Sequence, residues 1–286
     1  MENRIEECIA CENRNFKYYA DNVILRLPIY ICQNCNLHVT GTSQIELDAV
    51  LSNYYKGDYW DVVREQGMNI EHTDSYSKGR IRIWTSQFKY VKKFISKKSK
   101  ILEIGSGHGE AIIEFDKLNY NVIGIEPDKK NVLHLKQILK NCKIINSKAD
   151  DFQIEEVFDL VWMSHVFEHL SAPIEFLKKI KKNISKNGIL FIEVPSVEKK
   201  NDYRTFTKTP HAYNYTAKSL QNIIEKSGYE IISCDWFGPP SKVNGAINKL
   251  SKKLLNRDFY PYYPKMLTGK YSGEDIRVIS QLKSKN

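Results

Sequence analysis

From residue 100 onward, short apolar runs alternate with amphipathic helical segments, and this alternation constrains the fold more than any other feature. The apolar runs predict strands at 100–104, 121–125, 143–146, 158–163, 188–194 and 229–236. The segments between them predict helices at 109–118, 128–140, 171–184 and 217–227. Such alternation produces a parallel sheet with helices on both faces, and right-handed crossovers bring the carboxyl ends of the strands to one edge. We therefore expect ligands to bind at that edge.

Local signals at the ends of these segments refine the pattern. The tripeptides KNG at 186–188 and KSG at 226–228 are typical helix stops, because glycine accepts the left-handed conformation that often ends a helix. The alternating stretch 274–282 predicts a final strand. Upstream, 44–56 predicts a short helix. A basic amphipathic helix is predicted at 77–98, with an apolar face of Ile81, Trp84, Phe88, Val91, Phe94 and Ile95.

The stretch ILEIGSGHGEAIIEF places a glycine loop between the first of these strands and a helix. Gly105, Gly107 and Gly109 form a GxGxG pattern, but the dinucleotide fingerprint requires glycine at the next position, which is Glu110. The Gly-Lys-Ser/Thr of a Walker loop is also absent. Glu103 and Glu110 flank the loop and would repel a pyrophosphate but attract a cation. The loop therefore predicts a positively charged cofactor, such as S-adenosylmethionine with its sulfonium and ammonium groups, which the glycine backbone can approach closely.

Two later strand ends carry further carboxylates. Glu126 lies 21 residues beyond Gly105 and is followed by Pro127, which places a carboxylate where adenosine cofactors bind through their ribose hydroxyls. After the third strand, the sequence KADDF places Asp150 or Asp151 to accept from the adenine amino group. Either aspartate is nearly as well explained as a helix cap. Phe152 is a candidate wall for the adenine ring.

Four of the six cysteines are patterned at the N-terminal end. Two CxxC pairs with this separation are typical of a four-thiolate zinc ribbon, and the segment between them reads as short strands. Disulfides are the weaker alternative for these cysteines. Four protein ligands leave no open position, so this zinc is expected to be structural. The predicted ligands are Cys8, Cys11, Cys32 and Cys35.

Taken in order and spacing, the motifs ILEIGSGHGE, GIEPD, KADDF and FDLVWMSHVFEHL resemble those of class I S-adenosylmethionine-dependent methyltransferases over residues 75–236. The resemblance implies an α/β fold with a doubly wound, mostly parallel seven-stranded sheet whose last strand is reversed. With the cysteine ribbon, the chain is similar to bacterial and archaeal methyltransferases of sugar and surface-polysaccharide biosynthesis. The resemblance implies that the cofactor is bound by Glu103, Gly105, Ser106, Gly107, Gly109, Glu126, Pro127, Asp150, Asp151, Ser164 and His165.

For catalysis, the resemblance directs attention to the EH pair after the fourth strand, where His169 is predicted to act as a general base or to bind the acceptor. A capped or buried structural histidine is the alternative. His211 is a second candidate, in a loop of about twenty residues that we expect to cover the acceptor. Tyr213 or Tyr215 would contact the acceptor, and Arg204 would bind a phosphate or carboxylate. Aromatic residues that would close the site or belong to the core are Tyr54, Tyr55, Tyr59, Trp60, Tyr260, Tyr262 and Tyr263. Because the histidines do not form HExxH, no second metal site is predicted.

Charge and composition narrow the class of protein. No stretch approaches the roughly 20 apolar residues of a membrane helix, and the polar N-terminus does not resemble a signal peptide, so we expect a cytoplasmic protein. The net charge is +9, yet residues 1–60 hold eight acidic and five basic residues, while 241–286 hold ten basic and three acidic residues. The lysines are scattered rather than interleaved with an RNA-binding motif, which argues against a nucleic-acid partner.

Three functions therefore remain open at this stage. The favoured one is methyl transfer to a small hydroxyl or amine acceptor, such as a nucleotide-linked sugar. The alternatives are an RNA methyltransferase and a non-catalytic scaffold that binds partners through the ribbon. The predicted domains are a zinc ribbon at 1–43, a helical linker and lid at 44–98, and a cofactor-binding domain at 99–286 with an insertion at 237–273. The oligomeric state is left open.

Overall fold

The computed structural model describes residues 5–56, 74–198, 206–255, 260–261, 263–266 and 274–284. The strands within these residues are β1 (Phe16–Asn22), β2 (Leu27–Cys32), β3 (His38–Thr40), β4 (Lys100–Ile104), β5 (Asn121–Glu126), β6 (Lys143–Asn146), β7 (Phe158–Ser164), β8 (Ile184–Pro195), β9 (Tyr213–Asn214), β10 (Tyr229–Phe237) and β11 (Asp275–Leu282). The helices are α1 (Gln44–Lys56), α2 (Asp74–Val91), α3 (Glu110–Lys117), α4 (Lys129–Ile138), α5 (Pro173–Ile180), α6 (Ala217–Lys226) and α7 (Lys242–Leu255).

Within the described residues, the larger sheet has seven strands in the order β10-β11-β8-β7-β4-β5-β6. The strands β8, β7, β4, β5 and β6 are mutually parallel, whereas β11 runs antiparallel to both β8 and β10. The predicted doubly wound, mostly parallel α/β fold and its reversed final strand are therefore confirmed. The central strands are apolar along their length because both faces are covered, and in β7 only Asp159 and Ser164 are not fully buried.

Helix caps also agree with the sequence pattern. The side chain of Asp128 accepts a hydrogen bond from the Asn131 backbone and begins α4, while Thr216 accepts from Ser219 N in a capping box that begins α6. Gly228 adopts φ +85° after α6, which confirms the predicted helix stop there.

The other predicted stop is wrong. The helix ends at Ile180, a 3-10 turn covers Lys181–Asn183, and KNG lies inside β8, which begins at Ile184. The pairing of β8 with β7 shifts register between Phe158 and Leu160. Gly188 therefore lies at an irregularity in strand pairing and not at the end of a helix. A Cβ at Gly188 would lie 2.8 Å from the Phe158 carbonyl oxygen, so the partner strand approaches too closely for a side chain.

The predicted apolar face of α2 is buried only in part. Ile81 is 38% exposed, while Trp84 and Val91 are buried.

A second, antiparallel sheet has the order β1-β2-β3-β9. Its first three strands come from the cysteine-containing segment, but β9 comes from the loop that follows β8, more than 170 residues later. His38 pairs with Asn214 and Val39 with Tyr213. The N-terminal segment is thus joined by backbone hydrogen bonds to the segment predicted to cover the acceptor. Among the described residues, no helix is both long and apolar enough to cross a membrane.

Candidate functional site

The glycine loop is held against the end of β5. The backbone N–H groups of Gly105 and Ser106 both donate to the Ile125 carbonyl, at 2.8 and 3.1 Å. Gly105 has φ +72°, and a Cβ there would approach Val166 Cγ2 to 2.3 Å, so only glycine fits. Gly107 N donates to Glu126 Oε2 at 2.8 Å. The loop and the predicted ribose carboxylate are thus directly bonded to each other.

Two buried carboxylates lie at this loop. Glu103 is 3% exposed and Glu126 is 1% exposed. Burial raises the pKa of Glu103 to about 8, with Glu110 and Glu126 adding to the rise, although a hydrogen bond from Ser106 opposes it. Burial likewise raises the pKa of Glu126 to about 7, despite hydrogen bonds donated by Asp128 N and Gly107 N. Buried acids that lack a counter-cation are suited to a positively charged ligand.

These features fit S-adenosylmethionine. Each Glu126 oxygen keeps a lone pair beyond its backbone bond, as a ribose-binding carboxylate requires. Asp150 and Asp151 lie exposed in the loop after β6, and Pro127 is exposed at the end of β5. Phe152, however, is 3% exposed and belongs to the core, so its ring does not lie open to a ligand.

His165 lies where β7 leaves the sheet and adopts the left-handed conformation, with φ +54°. Its backbone N–H donates to the Glu193 carbonyl at 2.9 Å. Its ring faces three carboxylates: Glu168 Oε1 at 3.5 Å, Glu193 Oε1 at 3.5 Å and Asp275 Oδ1 at 3.9 Å. Although burial opposes protonation, the negative charges of Asp275, Glu168 and Glu193 hold the pKa of His165 well above its usual range. These carboxylates favour the protonated form of His165, which is unsuited to act as a base.

A polar network beneath His165 was not predicted from the sequence. Glu193, fully buried in β8, accepts hydrogen bonds from Gln87 Nε2, Ser164 Oγ and Arg277 Nε. Although burial disfavours the carboxylate, Arg277 and His165 keep the pKa of Glu193 below its ordinary range. Arg277 is itself fully buried and lies 3.9 Å from the Phe237 ring centre. A glutamate inside the apolar run GILFIEVP is the sequence feature that marks this network.

The predicted catalytic residues His169 and His211 lie together. Their ring centroids are 4.9 Å apart. The hydroxyl of Tyr55, from α1, lies 2.7 Å from His169 Nδ1. Glu168, adjacent to both histidines, is 1% exposed, and the sequence pattern FEH alone does not distinguish this glutamate from a surface residue. Burial lowers the pKa of His211 to about 4, so its imidazole is neutral at pH 7.

Of the described tyrosines predicted to contact the acceptor or to close the site, three are buried. Tyr215 is fully buried and donates to the Phe167 carbonyl, while Tyr213 is 4% exposed and donates to the Ser171 carbonyl. Both hydroxyls therefore support the fold of the loop. Tyr263 is 5% exposed and donates to Asp275, whereas Tyr260 is exposed. Predicted residues outside the described part of the chain are Tyr59, Trp60, Arg204 and Tyr262.

The four patterned cysteines converge on one point. Cys8 Sγ lies 3.6 Å from Cys35 Sγ, and Cys11 Sγ lies 3.5 Å from Cys32 Sγ. All four sulfur atoms lie within 4.8 Å of one another, and none forms a disulfide. A tetrahedral zinc–thiolate centre has sulfur atoms about 3.8 Å apart. The cluster therefore has the donor set and the spacing that such a centre requires.

Comparison with known proteins gives a family and two kinds of relative. The family model described as "Methyltransferase domain" matches residues 73–234. A tRNA U34 carboxymethyltransferase of Campylobacter jejuni is 27% identical over 166 residues, covering 51% of this chain and 56% of that protein. A ubiquinone biosynthesis O-methyltransferase of Pelagibacter ubique is 32% identical over 168 residues, covering 57% of this chain and 65% of that protein. The chain thus spans less than two thirds of the length of either relative.

Solved structures share the fold. An S-adenosylmethionine-dependent methyltransferase from Archaeoglobus fulgidus has a TM-score of 0.55 and 17% identity, covering 78% of this chain and 99% of that one. One from Thermotoga maritima has a TM-score of 0.54 and 17% identity, covering 77% and 98%. At this level of identity the likeness concerns the fold alone.

Proposed function

The chain belongs to the methyltransferase domain family, and from that membership we propose that it transfers a methyl group from S-adenosylmethionine to a small hydroxyl or amine acceptor. The observation that carries the proposal is the shared sheet edge. There the acid-lined glycine loop lies at the ends of β4 and β5, and the histidine cluster follows the end of β7. A cofactor side and an acceptor side thus adjoin, as group transfer requires.

On the cofactor side, the residues of the chain bind and orient S-adenosylmethionine. When bound, S-adenosylmethionine supplies a methyl group already activated by its sulfonium. Glu126 accepts from the ribose hydroxyls, with Pro127 shaping the strand end, and Asp150 or Asp151 accepts from adenine. Ser164 and His165 line the methionine end. Glu103, buried behind the loop, would release its proton when the cation binds, and its negative charge would then favour the cation.

On the acceptor side, His169 binds the acceptor or takes its proton. His165 is held protonated and His211 is deeply buried, whereas the His169 side chain keeps 20% of its surface exposed. His211 supports His169 through ring contact. Among small acceptors, the choice of a nucleotide-linked sugar or glycan rests on the sequence resemblance, since the named relatives point to RNA or to a small molecule more generally.

We propose in addition that Cys8, Cys11, Cys32 and Cys35 hold one structural zinc ion. The spacing of the sulfur atoms supports this. Four protein ligands leave it no catalytic position.

The test is calorimetric and kinetic. We expect S-adenosylmethionine to bind with one site per chain. In an acceptor screen read by S-adenosylhomocysteine formation, His169→Asn should keep cofactor affinity within about twofold and lower kcat by about a hundredfold, as loss of acid–base or acceptor contacts does. The matched control is His134→Asn, which changes an exposed histidine of α4. Unchanged kcat in His169→Asn would refute the assigned role, and undetectable cofactor binding by the wild type would refute the function.

RNA is the second candidate acceptor, and the tRNA-modifying relative favours it. The basic residues in 241–286 other than the fully buried Arg277 offer phosphate contacts. A gel-shift assay with bulk tRNA at about 50 and 200 mM salt separates the two candidates. Tight binding that falls by about a thousandfold or more over this range indicates RNA. Weak, salt-insensitive binding supports the small acceptor.

A further inference from the structure

Glu168, His169 and His211 form a cluster of one carboxylate and two imidazoles on the acceptor side. One ligand atom from each lies within 4.8 Å of those of the other two. Glu168 is 1% exposed, and neither carboxylate oxygen has a hydrogen-bond partner among the described residues. The nearest cationic nitrogen is His165 Nδ1, 3.5 Å from Oε1. A buried carboxylate without hydrogen bonds is costly even beside one imidazole, and both of its oxygens keep lone pairs that a metal ion could use.

Each of the two histidines has an oxygen acceptor close to its Nδ1 atom. His211 Nδ1 lies 2.8 Å from Asn214 Oδ1, and His169 Nδ1 lies 3.1 Å from the Pro210 carbonyl oxygen. Both partners accept hydrogen bonds and favour a proton on Nδ1 of each ring; the Tyr55 hydroxyl, 2.7 Å from His169 Nδ1, would then accept from that nitrogen and donate to the Pro210 carbonyl. Each Nε2 therefore presents a lone pair, and His169 Nε2 lies 4.0 Å from Glu168 Oε1. Metal-ligating histidines are typically oriented in this way, with the second ring nitrogen donating to a carbonyl or amide oxygen.

We propose that Glu168, His169 and His211 bind a divalent transition-metal ion, separate from the cysteine site. Two imidazoles and one carboxylate form a ligand set for Zn²⁺, Fe²⁺, Co²⁺ or Mn²⁺, whereas Mg²⁺ and Ca²⁺ prefer oxygen ligands alone. The sequence order did not predict this site, because His211 reaches the cluster from the loop after β8.

The site is completed by the N-terminal sheet. Thr40 Oγ1 donates to the His211 carbonyl at 2.8 Å, and Thr40 N donates to the Ala212 carbonyl at 3.0 Å. Ala212 N in turn donates to the Glu168 carbonyl at 2.8 Å. The segments that carry the two ends of the ligand set are thus bonded to each other and to β3.

This assignment rests on the proposed function, narrows it toward an oxygen acceptor, and makes His169 a metal ligand that binds the acceptor through the ion rather than a base. Three protein ligands leave open positions, as in catalytic zinc sites. An acceptor hydroxyl bound there would have a lowered pKa and would release its proton to solvent before its oxygen attacks the methyl carbon. The C–O bond forms as the C–S bond breaks, which gives a methyl ether and S-adenosylhomocysteine.

Metal stoichiometry on the full chain tests the site without any acceptor. We expect wild-type protein saturated with Zn²⁺ and then desalted to retain two equivalents by elemental analysis. Titration of Co²⁺ into protein that keeps its cysteine-bound metal should show one further site. Glu168→Gln and His211→Gln should each weaken that site at least tenfold, while the cysteine-bound equivalent and S-adenosylmethionine affinity stay unchanged. His134→Gln is the matched control and should bind as the wild type does.

The outcomes separate the two proposals. A wild type that binds only the cysteine-held equivalent, or a Glu168→Gln protein that binds Co²⁺ as tightly as the wild type, overturns the metal site. Retained cofactor binding shows that each variant is folded. If one variant does not fold, the wild-type stoichiometry and the other variant still decide whether the second metal site exists. A second metal in a protein that binds no S-adenosylmethionine would instead overturn the proposed function alone.

Discussion

Glu103 and Glu126 are the residues on which we expect cofactor affinity to depend most directly. Both are buried beside the glycine loop, and burial raises the pKa of Glu103 to about 8 and that of Glu126 to about 7. In the cofactor-free chain, the native state therefore holds protons that the unfolded chain, with glutamate pKa values near 4.3, has released between about pH 5 and 8. These two groups make the free energy of unfolding fall as pH rises through that window.

Cofactor binding has the opposite dependence, because a ribose-accepting carboxylate near a sulfonium must be ionised. We expect affinity for S-adenosylmethionine to be about tenfold weaker at pH 6 than at pH 8, since a group with a pKa of about 7 is only about one-tenth ionised at pH 6. Isothermal titration in two buffers of different ionisation enthalpy should also detect proton release at pH 7. An affinity that does not change with pH would contradict the assignment.

Glu126→Gln provides the variant for the same measurement. It removes the charge but keeps an oxygen acceptor, so it should weaken binding about tenfold or more at pH 8, as the loss of a charged hydrogen-bond partner does, and reduce the pH dependence. Glu156→Gln is the control, because this exposed carboxylate lies before β7, at the opposite edge of the sheet, and pairs with Lys100.

The glycine loop and the strands were predictable from the sequence because their patterns are local. The apolar runs are buried on both faces, and the carboxylate at the end of β5 follows directly from the motif. Glu168, Glu193 and Arg277 were not assigned, since their roles depend on partners brought together only by the sheet. His165 was placed correctly at the strand end, but its three carboxylate neighbours come from β8, β11 and the following turn.

The short strand β9 is the element that sequence patterns could not predict. It has two residues, and its partner β3 lies more than 170 residues earlier. The expectation of a loop without regular structure was therefore wrong at Tyr213 and Asn214. This pairing explains why residues 211–217 of the loop are buried.

Thr40→Val tests the coupling between β3 and this loop. Valine has nearly the same shape but cannot donate to the His211 carbonyl, and Thr40 is 1% exposed. We expect a loss of about 1–2 kcal/mol in the free energy of unfolding, as for an unpaired buried carbonyl. The conservative control Thr40→Ser should retain most of that stability. Equal stability of the valine and wild-type proteins in urea denaturation would show that the bond contributes nothing.

At the level of the whole chain, the cysteine-containing segment and the methyltransferase fold behave as one structure. Thr216 Oγ1 donates to the Cys35 carbonyl at 2.8 Å, so one cysteine turn is bonded to the cap of α6. Lys226, at the end of the same helix, pairs with Glu12 at 2.7 Å. The segment is held at the same surface that positions His211, which argues against a ribbon that only recruits partners.

Cys8→Ser should therefore have different effects on cofactor affinity and on kcat. Serine is a poor zinc ligand, so the variant should lose the tightly held metal and unfold at a temperature lower by several degrees or more, since structural zinc contributes to folding. Affinity for S-adenosylmethionine should change less than threefold, because the glycine loop belongs to the other sheet. In contrast, kcat should fall at least tenfold, because β3 would no longer hold the segment that carries His211. The control is Cys234→Ser, which alters a half-buried thiol of β10 outside the metal cluster. Full activity in a Cys8→Ser protein that has lost its zinc would show that the N-terminal segment does not support the acceptor side.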